Sequence, residues 1–154
     1  QPLGLPGGIF DLSVKDIVTR VTDPGVSVKP GMGMVKGASA GETVKLPVTG
    51  STAADFEGIF VHGSKQLEHN MAGVVGTEGG DTVGLMKKGR IWALIADTAT
   101  TTYGTAAALI LSGDNVGKLT DTADSEETSK VALTGVTFTG KADTDNGIAV
   151  VEMK

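Results

Sequence analysis

The chain has 154 residues, a formal charge of −5 and a hydrophobic fraction of 40%, with no cysteine and only two histidines. That length suits one domain with an arm, and the missing cysteines exclude a disulfide framework and thiolate metal sites. The basic residues are scattered, adjacent only at Lys87-Lys88, so a phosphate-binding patch and a nucleic-acid partner are not expected.

Residues 1–12, QPLGLPGGIFDL, combine prolines and glycines with Leu3, Leu5, Ile9, Phe10 and Leu12. Proline removes backbone donors and glycine raises backbone entropy, so the stretch predicts neither helix nor interior strand. Disordered tails are polar, whereas this one is apolar. We read residues 1–13 as an extended arm that docks on a neighbour or on its own domain, and residues 14–154 as a single β-barrel-like domain.

Residues 14–22 are β-branched and predict the first strand, ended by the turn Asp23-Pro24-Gly25. Short strands follow at 32–35 and 43–46, then the apolar run FEGIFVH at 56–62. Residues 63–80 are dotted with glycine, with a weak helical pattern at 65–70 and a brief strand at 74–75. Residues 81–86 and 90–96 read as a hairpin turning at Lys87-Lys88-Gly89. Further strands are predicted at 106–111, 116–120, 131–139 and 148–153. Turns separate them at 112–115 and 140–147, and an acidic, solvated loop at 121–129. About ten short strands at this spacing predict an all-β fold, a small barrel or sandwich with an irregular N-terminal arm.

Aromatic residues make up only 4% of the chain, so the core must be built mainly from aliphatic side chains and methionine, and stability leans on sheet hydrogen bonds and subunit association. Phe56, Phe60, Ile91, Leu94 and Phe138 are the expected core cluster. Trp92, of opposite parity to Ile91, then faces the other way as a candidate subunit contact. No run of about 18 apolar residues marks a membrane helix, and residues 1–8 lack the basic and apolar regions of a signal peptide. A soluble protein with no membrane partner is expected.

The chemical motifs are weak. GVTFTGKA at 135–142 lacks the hydroxyl that a phosphate loop places after its lysine, and its interior reads as a strand. Asp143 to Gly147 puts glycine fifth, where a calcium loop needs it sixth. A cation held by carboxylates shared between subunits is the option that remains there. His62 and His69 offer two ligands where zinc needs three. Ser64 lies near both but sits in no nucleophile elbow. No catalytic, cofactor-binding or metal-binding residue is assigned, and no enzyme activity is expected.

The order of segments is more specific. PGMGMVKG at 30–37 precedes VKLP at 44–47, then DFEGIFVHG at 55–63, DTVGLMKKGRIWALIAD at 81–97, VTFTG at 136–140 and GIAVVEMK at 147–154. This order resembles the structural cement, or decoration, proteins of tailed bacteriophages. The best-matched pieces are Val44 to Pro47, Phe56 to Ile59 and Gly89 to Trp92; Ala93 stands where valine is commoner, and residues 63–80 carry no part of the likeness. The resemblance implies a small β-barrel on the outer surface of the virion shell, bound to the major capsid protein where capsomers meet, often as a homotrimer, with no cofactor. Assembly in the host cytoplasm follows from the same resemblance. A carbohydrate- or surface-binding module of a fibre or adhesin is the alternative reading.

Overall fold

The computed structural model describes residues 6–8, 16–23, 28–39, 41–61 and 82–154. Nine strands form in chain order: β1 (Asp16–Thr22), β2 (Gly33–Lys36), β3 (Thr43–Lys45), β4 (Phe56–Phe60), β5 (Thr82–Leu94), β6 (Ala106–Ile110), β7 (Leu119–Asp121), β8 (Lys130–Asp143) and β9 (Ile148–Met153). The only helical pieces among the described residues are single 3-10 turns at Ala53–Asp55 and Thr144–Asn146.

The pairings run β1-β3-β2-β4-β5, and β5 pairs back with β1. This closes a small five-stranded barrel. From β5 the sheet continues through β9, β8, β6 and β7. It curls until the chain just beyond β5 meets β7: Ile95 bridges Leu119 in parallel, and the Ala96 N–H donates to the Leu119 carbonyl at 3.0 Å. Two rings of pairings therefore share one strand. A further bond ties them, from the Gly33 N–H to the Gly117 carbonyl at 2.8 Å.

The predicted hairpin at 81–96 is a single strand of 13 residues. A tight hairpin of the favoured type needs left-handed backbone at both central residues. Among the described residues no non-glycine adopts positive φ, so Lys87 and Lys88 cannot supply it. Gly89 alone does, at φ 120°, and the strand bends there instead of reversing. The bend hands β5 from one ring to the other: residues up to Lys88 pair with β1 and β4, and residues from Gly89 onward pair with β9. The strands predicted at 106–111 and 148–153 match β6 and β9 closely. The predicted turn at 140–147 starts too early, because β8 bulges and resumes pairing at Ala142 with Ala149. The strand predicted at 74–75, the helical pattern at 65–70, His62, Ser64 and His69 lie outside the described residues.

Three apolar clusters result. Val28, Met34, Val44, Phe60, Val83 and Leu85 fill the first barrel. A larger cluster, including Ile59, Met86, Ile91, Leu109, Leu119, Phe138 and Val151, fills the second ring. Trp92 packs with Ile148, Val150 and the half-buried Leu94 on the opposite face of β5 and β9. The five residues expected to form one core are thus shared among three, because β5 serves two rings and Phe60 and Ile91 face different interiors. Trp92 does point away from Ile91, and the residue is 4% exposed within its own chain.

Three charged side chains come together beside the first core. Glu57 is buried, with Arg20 Nε 3.5 Å and Lys87 Nζ 3.7 Å from its carboxylate oxygens. Arg20 shares the parity of Val18, and Lys87 that of Val83 and Leu85, so β1 and β5 aim these two cations toward the first core, where they meet Glu57. Two cations beside one buried carboxylate offset its desolvation.

Trp92→Ala should lower unfolding stability by about 3–5 kcal/mol in urea titration, the usual cost of emptying a large buried aromatic site; a loss under about 1 kcal/mol would remove Trp92 from the core. Gly89→Ala should cost more than about 1 kcal/mol, since alanine does not tolerate positive φ, whereas an unchanged midpoint would show that the bend does not depend on glycine.

Candidate interaction surfaces

The β5 edge opposite β9 needs partners of its own. The Trp92 carbonyl accepts from the Gly7 N–H at 2.7 Å, and the Trp92 N–H donates to the Gly8 carbonyl at 2.9 Å. Two arm residues face one strand residue, and Gly7 sits in the left-handed region at φ 74°. This is a G1 β-bulge, in which the first position requires glycine. The next donor on the same edge, the Leu94 N–H, bonds the Gly31 carbonyl at 3.0 Å. Gly31 lies so close that an added Cβ would stand 3.1 Å from the Gly7 nitrogen and 3.2 Å from Pro6 Cβ. The described part of the arm, Pro6 to Gly8, therefore docks on its own domain. Leu3, Leu5, Ile9, Phe10 and Leu12, the candidate contact residues, lie outside the described residues. Gly7-Gly8 was the local sign of the bulge, but the edge it covers is set by residues more than 80 positions away.

The acidic loop is less solvated than its composition predicts. Asp121 and Asp124 are buried at 5% and 7% exposure. Asp124 Oδ2 accepts from the hydroxyls of Thr98 and Thr120, both at 2.6 Å, and Oδ1 accepts from the Glu126 N–H at 3.0 Å. Asp121 Oδ1 accepts from the Thr100 N–H at 2.8 Å. Lys130 Nζ donates to the carbonyls of Asp124 and Glu127, and Asn115 Nδ2 donates to Glu127 Oε1 at 2.7 Å. The two carboxylates thus fasten the 97–101 connection and the 121–130 loop to β7. Burial by itself pushes the Asp124 carboxyl up, but hydrogen bonds from Thr120, Thr98 and Glu126, with the charge of Lys130, hold it below the usual carboxylate value.

A third feature is an open groove of about 460 Å³ on the second sheet, lined by Arg90, Tyr103, Lys141, Glu152 and Lys154 among others. The β8 bulge between Phe138 and Ala142 builds one wall; bulges re-aim side chains in this way. The connection before β6 builds the facing wall, held by bonds from the Gly104 N–H to the Phe138 carbonyl and from the Phe138 N–H to the Thr105 carbonyl, both 2.9 Å. Glu152 accepts from Arg90 Nε at 2.9 Å and lies 3.8 Å from Lys154 Nζ. Tyr103 stands at the groove 86% exposed, against 40% or so for Ile17 and Val21 on the outer face of β1. Nothing in the sequence signalled this groove, because the bulge exists only through the register with β9.

Asp143 to Gly147 forms a 3-10 turn in which Asn146 Nδ2 donates to Asp143 Oδ2 at 2.8 Å. Residues 135–142 lie within β8, as their β-branched interior predicted. Among the described residues no three acidic or histidine side chains are grouped to hold a metal ion, and no helix is long and apolar enough to cross a membrane.

The sequence profile of the family described as "Structural cement protein (E217 gp24/Pam3 gp6)" matches residues 1–154. A chain from the solved structure described as "The capsid of Myoviridae Phage XM1" superposes with a TM-score of 0.72 at 14% identity, covering 97% of this chain and 89% of that one. At that identity the likeness is one of fold. No curated protein matches.

Because the folded Asp124 value lies below the unfolded one, its contribution is complete above the unfolded value near pH 4 and drains as pH falls through the folded value. Asp124→Asn should cost about 1–3 kcal/mol at neutral pH, since one acceptor is replaced by a donor facing donors. The gap between the two proteins should narrow on acidification below about pH 4 in thermal melts. A gap independent of pH would remove the carboxylate as its cause.

Proposed function

The chain belongs to the structural cement protein family, and from that membership we propose that it binds the outside of a bacteriophage capsid and stabilises the shell by bridging neighbouring major capsid protein subunits. The family match over residues 1–154 carries this reading. The capsid-derived chain of the same fold supports it. We further propose that the protein acts as a homotrimer on the virion surface, assembled in the host cytoplasm, and without catalytic activity.

The physical picture is one of distributed load. Many copies each make modest contacts, and attachment of one contact raises the effective concentration of the next, so avidity supplies the strength. The arm residues Leu3, Leu5, Ile9, Phe10 and Leu12 are proposed to lie over a neighbouring subunit, anchored where Gly7 and Gly8 bond Trp92. Trp92 serves that contact from beneath, by holding the strand on which the arm is seated. Strand addition, an obvious mode for a β-rich body, has little to work with, since each described strand has a partner on both edges along part of its length.

One observation favours the carbohydrate-binding alternative: the exposed ring of Tyr103 beside a polar groove. Stoichiometry in purified particles decides between the two. A fixed, high ratio to the major capsid protein is expected; a few copies per particle would favour the fibre or adhesin reading, and absence from particles would end the proposal. Removing residues 1–12 should leave the β-sheet circular dichroism largely intact while attachment to shells lacking the protein falls at least about tenfold, the scale of losing one linked contact. Full attachment of the truncated protein would exclude the arm.

A further inference from the structure

Among the described residues, Phe60, Phe138 and Trp92 are buried and Phe56 packs against the larger core, whereas Tyr103 is 86% exposed. That exposure does not come from a loose loop. Tyr103 follows Thr102 in a tight turn, closed by the Thr105 N–H on the Thr102 carbonyl at 3.1 Å. Gly104 supplies the left-handed position at φ 82°, the pattern of a type II turn. The hydroxyls of Thr102 and Thr105 share a hydrogen bond of 2.7 Å. The turn is seated on β8 where Gly140 has no side chain: a Cβ there would stand 3.4 Å from the Tyr103 nitrogen and 3.5 Å from its Cβ. The backbone beneath the ring is thus fixed, and little of its entropy remains to be lost when the ring is covered.

The groove beside the ring is not built to capture an ion. Glu152 accepts from Arg90 at 2.9 Å and lies 3.8 Å from Lys154, and Arg90 and Lys141 each have a further interaction within the chain. A charged ligand has to compete with these pairings. A neutral ligand rich in hydroxyls does not, because a guanidinium has more donors, and a carboxylate more lone pairs, than one pairing uses. Thr137 and Thr139 line the same groove. Its volume of about 460 Å³ falls in the range of small-molecule sites, about 300–1,000 Å³. A sugar ring matches both features. The C–H groups on one of its faces pack on an aromatic ring, and the hydroxyls at its edge reach fixed polar groups.

We propose that this groove binds a neutral saccharide, with Tyr103 stacked on the apolar face of the sugar and Arg90, Glu152 and Thr137 taking its hydroxyls. The site goes beyond the shell-binding reading and does not depend on it. On a shell that carries many copies, avidity would multiply a contact that is weak in each one.

Binding of the full-length protein to a dense array of immobilised neutral and anionic glycans tests it. Neutral glycans should be bound, with little change as salt rises, since no net charge is exchanged. Tyr103→Ala should weaken that binding about tenfold, the upper scale of one aromatic contact, and leave the melting temperature unchanged. Tyr103→Phe keeps the ring and should keep most of the binding. An array on which the wild type binds nothing overturns the proposal. So does binding confined to anionic glycans and lost in salt, binding that Tyr103→Ala leaves intact, or equal loss in Tyr103→Ala and Tyr103→Phe. Attachment to shells lacking the protein is measured in parallel. A Tyr103→Ala protein that keeps its glycan binding but no longer attaches would assign the ring to the shell and overturn the saccharide site. A wild type that binds glycans but never attaches to shells would end the cement reading and leave this one standing.

Discussion

The fold turns on β5, the one strand that both rings of pairings share. Its first half is held by β1 and β4, its second by β9 on one side and by Gly7, Gly8 and Gly31 on the other. A buried strand cannot leave its N–H and C=O groups unpaired without a cost comparable to a lost hydrogen bond for each. The arm therefore completes the sheet, and the glycine at 31, in the left-handed region at φ 91°, permits the approach of three chain segments where a side chain would be strained and crowded.

With few aromatic side chains, the body is held by small apolar clusters and by polar groups that find partners inside. Glu57 with Arg20 and Lys87, and Asp124 with Thr98 and Thr120, are two such arrangements. They differ physically. The first sets charges against one another beside a barrel core, where specific placement matters more than net gain. The second satisfies a carboxylate mostly with neutral donors, so it fastens loops without needing a full countercharge. Both keep connecting segments in place on a molecule whose strands are short.

Local chemistry made some of this legible and not the rest. Strands such as β4, β6 and β9 could be read from β-branched and aromatic content between turn residues, because those signals are contained within each segment. The two-lysine step at 87–88 looked like a hairpin, since whether a chain turns or bends depends on partners that the segment does not contain. The acidic loop looked solvated because the hydroxyl that buries Asp124 comes from Thr98, 26 residues earlier. The groove was invisible for the same reason: it depends on β8 slipping past β9. Family likeness was readable earlier than topology, because the order of short motifs survives in a linear string while strand pairing does not.

The strand shared by the two rings also governs how the molecule can come apart. Opening either ring withdraws partners from β5, and a β5 without partners cannot hold the other ring closed. If the two rings open together, a ligand or neighbour that grips only one of them raises the opening free energy of both. A contact on one side of the protein thereby protects the far side from local unfolding and proteolysis, with no movement of the backbone required.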